Sequence, residues 1–475
     1  MPPFAAASFA ASTSVAGPLA SRSGFSALDA ELAAITADPA HPLASLSVLA
    51  IRGGRIVYEG QFGSRTIDRA DPSRNHRANA QSLYRIASIS KLVTTLGVMR
   101  LIEAGTLELD RDAGDYLGFR LRNPHFPETP ITLRMLLTHT SSLRDEGGYY
   151  WDKASGVTLS DVLLPGGARY GTGAMWGANA RPGAYFSYAN FPWGVVGTIM
   201  ERATGERFDR LMRRLVLDPL HLHGGFEPAE FAAADLANVA TLYRKRVEVD
   251  GKEIWNTAGP WVAQVDDYTH AAPVPRASAD YVAGTNGTLF GPQGNCRLSV
   301  AGLATIARML MHRGRHRGRA FLQPATVAMM LSEQWHYDAR GGIGVDGKVG
   351  ANGDNGFGSH RDAMNAWGLG NQHFIDHSGV GVGDRLVEGG GFVAKGHTGD
   401  AWGLRGALLF DPAKKAAMIF LIGGHGFDPE TNPGKYSAQF RHEEKILTSM
   451  HTRLFVDSAK TAVSRSLRPR RVPAG

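Results

Sequence analysis

Residues 83–105 read LYRIASISKLVTTLGVMRLIEAG. From Ile89 to Ile102 the apolar positions recur at helical spacing, and Gly105 stands where a C-cap closes such a helix. The start of this helix carries Ser88-Ile89-Ser90-Lys91. Residues three apart share a helix face, so an ammonium at Lys91 lies one turn from the Ser88 hydroxyl. Ser88 also falls where free backbone N–H groups and the positive end of the dipole favour a developing oxyanion. A serine hydroxyl is a weak nucleophile without a base, and a buried lysine can shift its pKa down far enough to help. Taken alone, S-x-x-K is a common string, and the better reading of it is an N-cap serine beside a surface lysine.

Outward from this helix, strand patterns lie near both ends of the chain. SALDAELAAITAD (26–38) has helical spacing, and ASLSVLAIRGGRIVYEGQFG (44–63) reads as two strands around a Gly53-Gly54 turn. The runs AWGLGNQHFI (366–375), WGLRGALLFDP (402–412) and KKAAMIFLIGG (414–424) are strand-like, and 437–458 is a final amphipathic helix. Between them, 130–240 is dominated by helical patterns such as 193–205 and 208–220. Residues 241–295 are mixed, and 298–314 and 325–334 are again helical. The spacing predicts an α+β fold, an α/β sandwich in which one antiparallel sheet is built from N- and C-terminal segments and flanked by helices. The expected division is a leader at 1–24, a discontinuous sandwich at 25–120 and 300–458, a mainly helical region at 121–299, and a basic tail at 459–475.

Composition excludes several classes. With 475 residues, 43% apolar and 20% charged, the chain is too apolar for a disordered protein. No stretch approaches the ~20 apolar residues of a membrane span. Cys296 is the only cysteine, so no intrachain disulfide forms and the compartment stays open. The net charge of +7 owes five units to Lys460, Arg465, Arg468, Arg470 and Arg471 in the tail, leaving 46 basic against 44 acidic residues elsewhere. That near balance argues against nucleic acid as a partner. The first 24 residues are Ala/Ser/Pro-rich with no basic residue before Arg22, a poor secretory signal, which reads as a disordered leader or an atypical export signal.

Two further strings carry chemistry. Tyr188-Ala189-Asn190 lies in a Gly/Pro-rich loop before an apolar helix. A phenol near a cation can ionise more readily and act as a base, and Asn offers a donor and an acceptor to an ester or amide. His397-Thr398-Gly399 is flanked by strand-like text, and Gly399 lets a strand edge approach a ligand closely. In isolation each is also an ordinary turn or strand-end residue.

In the order S-x-x-K, Y-x-N, H-x-G, each in its appropriate context, the sequence resembles the serine β-lactamase and penicillin-binding-protein superfamily. It is most similar to the branch of class C β-lactamases, β-lactamase-type carboxylesterases and D-amino-acid-specific peptidases. Supporting text includes residues 83–110, ITLRMLLTHTSSL (131–143) and 188–220, and the resemblance covers roughly 28–455. It implies Ser88 as the acylated nucleophile, Lys91 as its proton acceptor or electrostatic partner, and Tyr188 as general base with Lys91. It also implies Asn190 on the acyl side of the substrate, His397 and Thr398 along the edge strand beside Gly399, and backbone N–H groups of Ser88 and Asp400 as an oxyanion hole. Deacylation then uses a water activated by Tyr188 or Lys91.

Three features depart from that pattern. His397 stands where β-lactamases usually place a lysine, so a carboxylate is held less firmly and ester or amide chemistry gains ground. Ser142 replaces a glycine in LLTHTSSL. A glycine-rich insertion at 341–358 holds eight glycines in eighteen positions.

Other signals are set aside. Gly342, Gly344 and Gly347 satisfy a dinucleotide fingerprint, but no strand precedes and no helix follows, and Val349 replaces the Ser/Thr of a phosphate-binding loop. There is no G-x-S-x-G elbow. His139, His221 and His223 make no metal-binding spacing, and Cys296 reads as a small hydrophobe. The expectation is a serine hydrolase without metal or organic cofactor, acting on a small-molecule ester or amide as a carboxylesterase. The alternatives are a β-lactamase, a D-stereospecific peptidase or amidase, and a non-catalytic scaffold on the same fold. Oligomeric state and compartment stay open.

Overall fold

The computed structural model describes residues 25–179, 181–336, 344–345, 364–376 and 384–456. The leader, the basic tail and most of the glycine-rich insertion lie outside the described residues. Of that insertion only Gly344–Val345 is described, paired parallel with Tyr185–Phe186.

The two-residue Gly53-Gly54 link joins strands β1 (Ser45–Arg52) and β2 (Arg55–Thr66), with Arg52 opposite Arg55. Both glycines have positive φ, 59° and 77°, which a type I′ hairpin turn requires and a side chain would resist. A short β3 (His76–Arg77) follows on the outside. The other strands come from the C-terminal part: β4 (Trp335–His336), β5 (Ala366–Trp367), β6 (Gln372–Phe374), β7 (Ala394–Ala401), β8 (Leu404–Asp411) and β9 (Ala416–Ile422). Among the described residues they form one antiparallel sheet in the order β4-β5-β6-β7-β8-β9-β1-β2-β3. The run 366–375 is therefore two short strands, turned over at Gly370 with φ 61°.

Alternation along the central strands decides what covers the sheet. Leu49, Ile51, Leu408, Phe410, Ile419 and Leu421 face one apolar core, while Val48, Ala50, Leu409, Met418, Phe420 and Ile422 face another. Strands buried on both faces need helices on both. Helices α1 (Ser26–Thr36) and α5 (Arg441–His451) cover the second face, contributing Leu28, Leu32, Ile446, Leu447 and Met450. The first face is covered by α2 (Ile89–Glu103) and α4 (Val300–Met311).

The region 121–299 differs in texture from its sequence pattern. It holds one long helix, α3 (Phe191–Thr204), with helices of four or five residues at 133–137, 159–163, 208–212 and 233–236 and short strand pairs at 242–265. Loops fill much of the rest, and buried hydrogen-bonded acids tie them down. Glu201 on α3 accepts from Tyr281 Oη at 2.6 Å, Gly284 N at 2.8 Å and Phe208 N at 2.8 Å, and burial raises its carboxyl to about 7. Asp266 pairs with Arg297 at 2.6 Å, both side chains being almost wholly buried.

Candidate active site

Ser88 is the N-cap of α2 and is half-buried. The residue before it, Ala87, has φ 46°, so the chain enters the helix through a left-handed turn that costs energy for a residue with a Cβ. One turn on, Lys91 is fully buried and its Nζ donates to Ser88 Oγ at 3.0 Å, to Asn190 Oδ1 at 2.8 Å and to the Gln293 carbonyl at 3.4 Å. Burial lowers the Lys91 ammonium to about 7, with Asp145 opposing the shift. A lysine so perturbed can be neutral near pH 7 and accept a proton.

Tyr188 closes the other side of the hydroxyl. Its phenol is hydrogen-bonded to the Ser88 side chain, and its ring lies 4.8 Å from Lys91 Nζ. Burial pushes the phenol well above its ordinary value. The hydrogen bond to Ser88 acts against this, while Asp145, Asp400 and Tyr149 add to it. Burial and neighbouring negative charge thus work against the easier ionisation expected of a phenol near a cation and favour the O–H form.

Asn190 is committed at both ends of its amide. Its Oδ1 accepts from Lys91 while its Nδ2 donates to Asp145 Oδ2 at 2.9 Å. Asp145 also accepts from the backbone N–H groups of Asn190 at 2.8 Å and Phe191 at 2.9 Å, satisfying the first donors of α3. Burial raises its carboxyl against these hydrogen bonds and Lys91. The chain Ser88–Lys91–Asn190–Asp145 therefore links the start of α2 to the start of α3. Asn190 belongs to this relay.

His139, from the LLTHTSSL loop, builds the wall behind Tyr188. Its carbonyl accepts from Ser187 N at 2.8 Å, its Nδ1 accepts from Ala189 N at 3.2 Å, and its ring lies 4.4 Å from that of Tyr188. Burial and Lys91 drive its pKa well down, so the ring is neutral. Ser142, three residues on, has φ 65°, a conformation suited to the glycine it replaces; its Oγ accepts from Asn123 Nδ2 at 2.9 Å.

Strand β7 carries His397, Thr398, Gly399 and Asp400. Its pairing with β6 ends at Gly396, so from His397 onward its outer edge has no partner strand among the described residues. A Cβ on Gly399 would lie 2.6 Å from the Ile86 carbonyl oxygen, which fixes why only glycine lets β7 approach the segment leading into Ser88. The close approach is to the chain's own backbone. His397 is buried with its ring 5.4 Å from Trp367 and 6.3 Å from Tyr188. Burial and the nearby Lys91 lower it to about 3, so this position is uncharged at neutral pH. Thr398 is half-exposed, and Asp400 is exposed with its carboxylate taken by Arg405 Nη1 at 2.6 Å.

The structure joins Ser88, Lys91, Tyr188 and Asn190 by hydrogen bonds and sets the four β7 residues alongside. Asp145, His139 and Gln293 belong to the same assembly; of these the sequence motifs include only His139, in LLTHTSSL, and give it no role in the site. Among the described residues no group of three or more His, Cys, Asp or Glu could hold a metal ion.

Known proteins resemble this chain in sequence or in fold. Penicillin-binding protein 4* of Bacillus subtilis (strain 168) is 26% identical over 247 residues, 51% of this chain and 47% of that protein. Esterase EstB of Burkholderia gladioli is 32% identical over 193 residues, 38% of this chain and 47% of that protein. The matches span about half the length of these curated relatives. A penicillin-binding protein homologue from Caulobacter crescentus has a similar fold, with a TM-score of 0.57 at 16% identity over 93% of this chain and 100% of that one. The family described as Beta-lactamase matches residues 32–439. Most of the sequence lies within that match, and the chain belongs to the Beta-lactamase family.

Proposed function

We propose that this chain hydrolyses small esters through an acyl-enzyme on Ser88. The reading rests on one observation: Ser88 Oγ is hydrogen-bonded at once to an amine whose pKa is drawn down to about 7 and to a phenol whose pKa is pushed up. Neutral Lys91 takes the Ser88 proton as Oγ bonds to the ester carbonyl carbon. The carbonyl oxygen becomes an oxyanion and is held by the backbone N–H groups of Ser88 and Asp400. As the carbonyl re-forms, the bond to the leaving oxygen breaks. Tyr188 donates its proton to that oxygen and is reprotonated by the Lys91 ammonium, so the phenol never rests as phenolate. A water then repeats the cycle on the acyl-enzyme, giving up its proton to Lys91 and releasing the acid.

Neutral His397 favours esters over substrates that must be held by a carboxylate, because this strand position supplies no fixed cation. The likeness to an esterase over part of the chain agrees with that preference. Amide cleavage is the second reading, supported by the longer match to a penicillin-binding protein. Incubation with p-nitrophenyl butyrate and with nitrocefin, followed by mass spectrometry of the Ser88 peptide, separates them. Ester turnover with a Ser88 adduct is the expected result. Rapid nitrocefin hydrolysis moves the assignment to β-lactamase, and no adduct with any acyl donor leaves a scaffold.

A further inference from the structure

We propose that the pocket at the opposite end of α2 from Ser88 is a binding site for a small phosphorylated anion. Its cavity is about 550 Å³, within the range of small-ligand sites. Arg100, in the last turn of α2, stands twelve residues beyond Ser88, about 18 Å along the helix. His221 comes from the turn after the Arg213–Leu217 helix. The remaining wall is a hairpin of Arg315–His316 and Arg319–Ala320, closed by Arg317 and Gly318 with φ 47° and 80°.

Among the described residues the lining holds no carboxylate: Arg100, Arg317 and Arg319 bring guanidinium groups, His221 and His316 imidazoles, and Phe321 an apolar surface. Residues 312–319 read HRGRHRGR, four arginines without an acid. Among the described residues no ion pair involves Arg313, Arg315, Arg317 or Arg319, whereas Arg207 and Arg210 nearby share Glu230. Asp218, the acid closest in sequence to His221, lies 3.7 Å from Arg213. Two arginines, Arg317 and Arg308, act on His316, and no carboxylate does. Two buried nitrogens on lining residues, Arg100 Nε and His316 Nε2, have no hydrogen-bond partner, although Arg100 Nη1 donates to the Phe321 carbonyl at 2.9 Å. Buried donors are normally satisfied, and several guanidinium groups facing one cavity suit the oxygens of a phosphoryl group.

The test is isothermal titration calorimetry of the full chain with pyrophosphate, in buffer free of phosphate and sulfate. Saturable binding with one site per chain is expected. Arg317 and Arg319 are exposed on the hairpin tip, so the double variant Arg317→Ala/Arg319→Ala should keep its fold and its hydrolysis of p-nitrophenyl butyrate. Its affinity for pyrophosphate should fall roughly tenfold or more. An absence of binding heat at millimolar pyrophosphate, or equal affinity in the double variant, would overturn the proposal. So would sedimentation with phosphatidic acid vesicles that excess pyrophosphate does not displace, since the surface would then be reading a membrane.

Discussion

The sheet and the 121–299 region share an apolar core but differ in how many buried acids they hold, and the candidate site lies where they meet. Strands β1 and β9 are buried along nearly their whole length, with an apolar core against each face. The loop-rich region shares the first of these cores and adds buried acids that collect donors: Glu201, Asp266 and Asp145. Apolar packing positions Ser88 and β7 with little dependence on pH. The polar region delivers Tyr188 and Asn190, whose protonation and hydrogen bonding depend on how thoroughly the surroundings exclude water. The contrast shows how one cleft combines fixed geometry with adjustable acid–base chemistry.

Substitutions can break that contrast or sharpen it. The largest effect belongs to Ser88→Ala, which should lower p-nitrophenyl butyrate turnover about 10⁴-fold or more while urea denaturation shifts by less than about 0.5 kcal/mol; near-normal turnover would remove the acyl-enzyme. Next is Asp266→Ala, which strands the fully buried Arg297 guanidinium and should cost about 3–5 kcal/mol in the same denaturation assay. Leu408→Ala in the sheet should cost about 2–5 kcal/mol by leaving a cavity, equally at pH 5 and pH 8, because no titrating group is involved. If the sheet variant were the pH-dependent one, the division between the two regions would fail.

The pH profile probes the seam itself. Lys91 accepts a proton only when neutral, and its pKa is lowered to about 7. Ester kcat/KM should therefore rise about tenfold per unit as pH climbs toward that value and level off above it. A limb that keeps rising past pH 9 would instead point to Tyr188 ionising. The smallest effect is expected for Ser142→Gly, which relieves a left-handed backbone while giving up the contact with Asn123; calorimetric melting should place it within about 1 kcal/mol of the parent.

Much of this was legible in the chain because it is local. The Gly53-Gly54 hairpin, the period-two strands and the i,i+3 pairing of Ser88 with Lys91 follow from neighbours in sequence. Tyr188 and His397 could be found through the resemblance, since their motifs stand in the right order. Asp145 and Gln293 could not: they act on residues 45 and 202 positions away, and a lone acid or a backbone carbonyl leaves no pattern. The direction of the Tyr188 shift was hidden for a related reason. A lysine nearby is visible in a motif, but the burial that works against it is a property of the assembled site. The loops of 121–299 escaped because apolar spacing does not reveal which segments stop after one helical turn.

The pairing of Ile51 with Ala417 carries a consequence for biosynthesis. At roughly 5–20 residues per second, a ribosome needs about 20–70 s to travel from one to the other. For that interval the N-terminal hairpin emerges with the edge that β9 will occupy still bare. Its apolar strand must be shielded by a chaperone, or by transient partners of its own, before the last eighth of the polypeptide arrives.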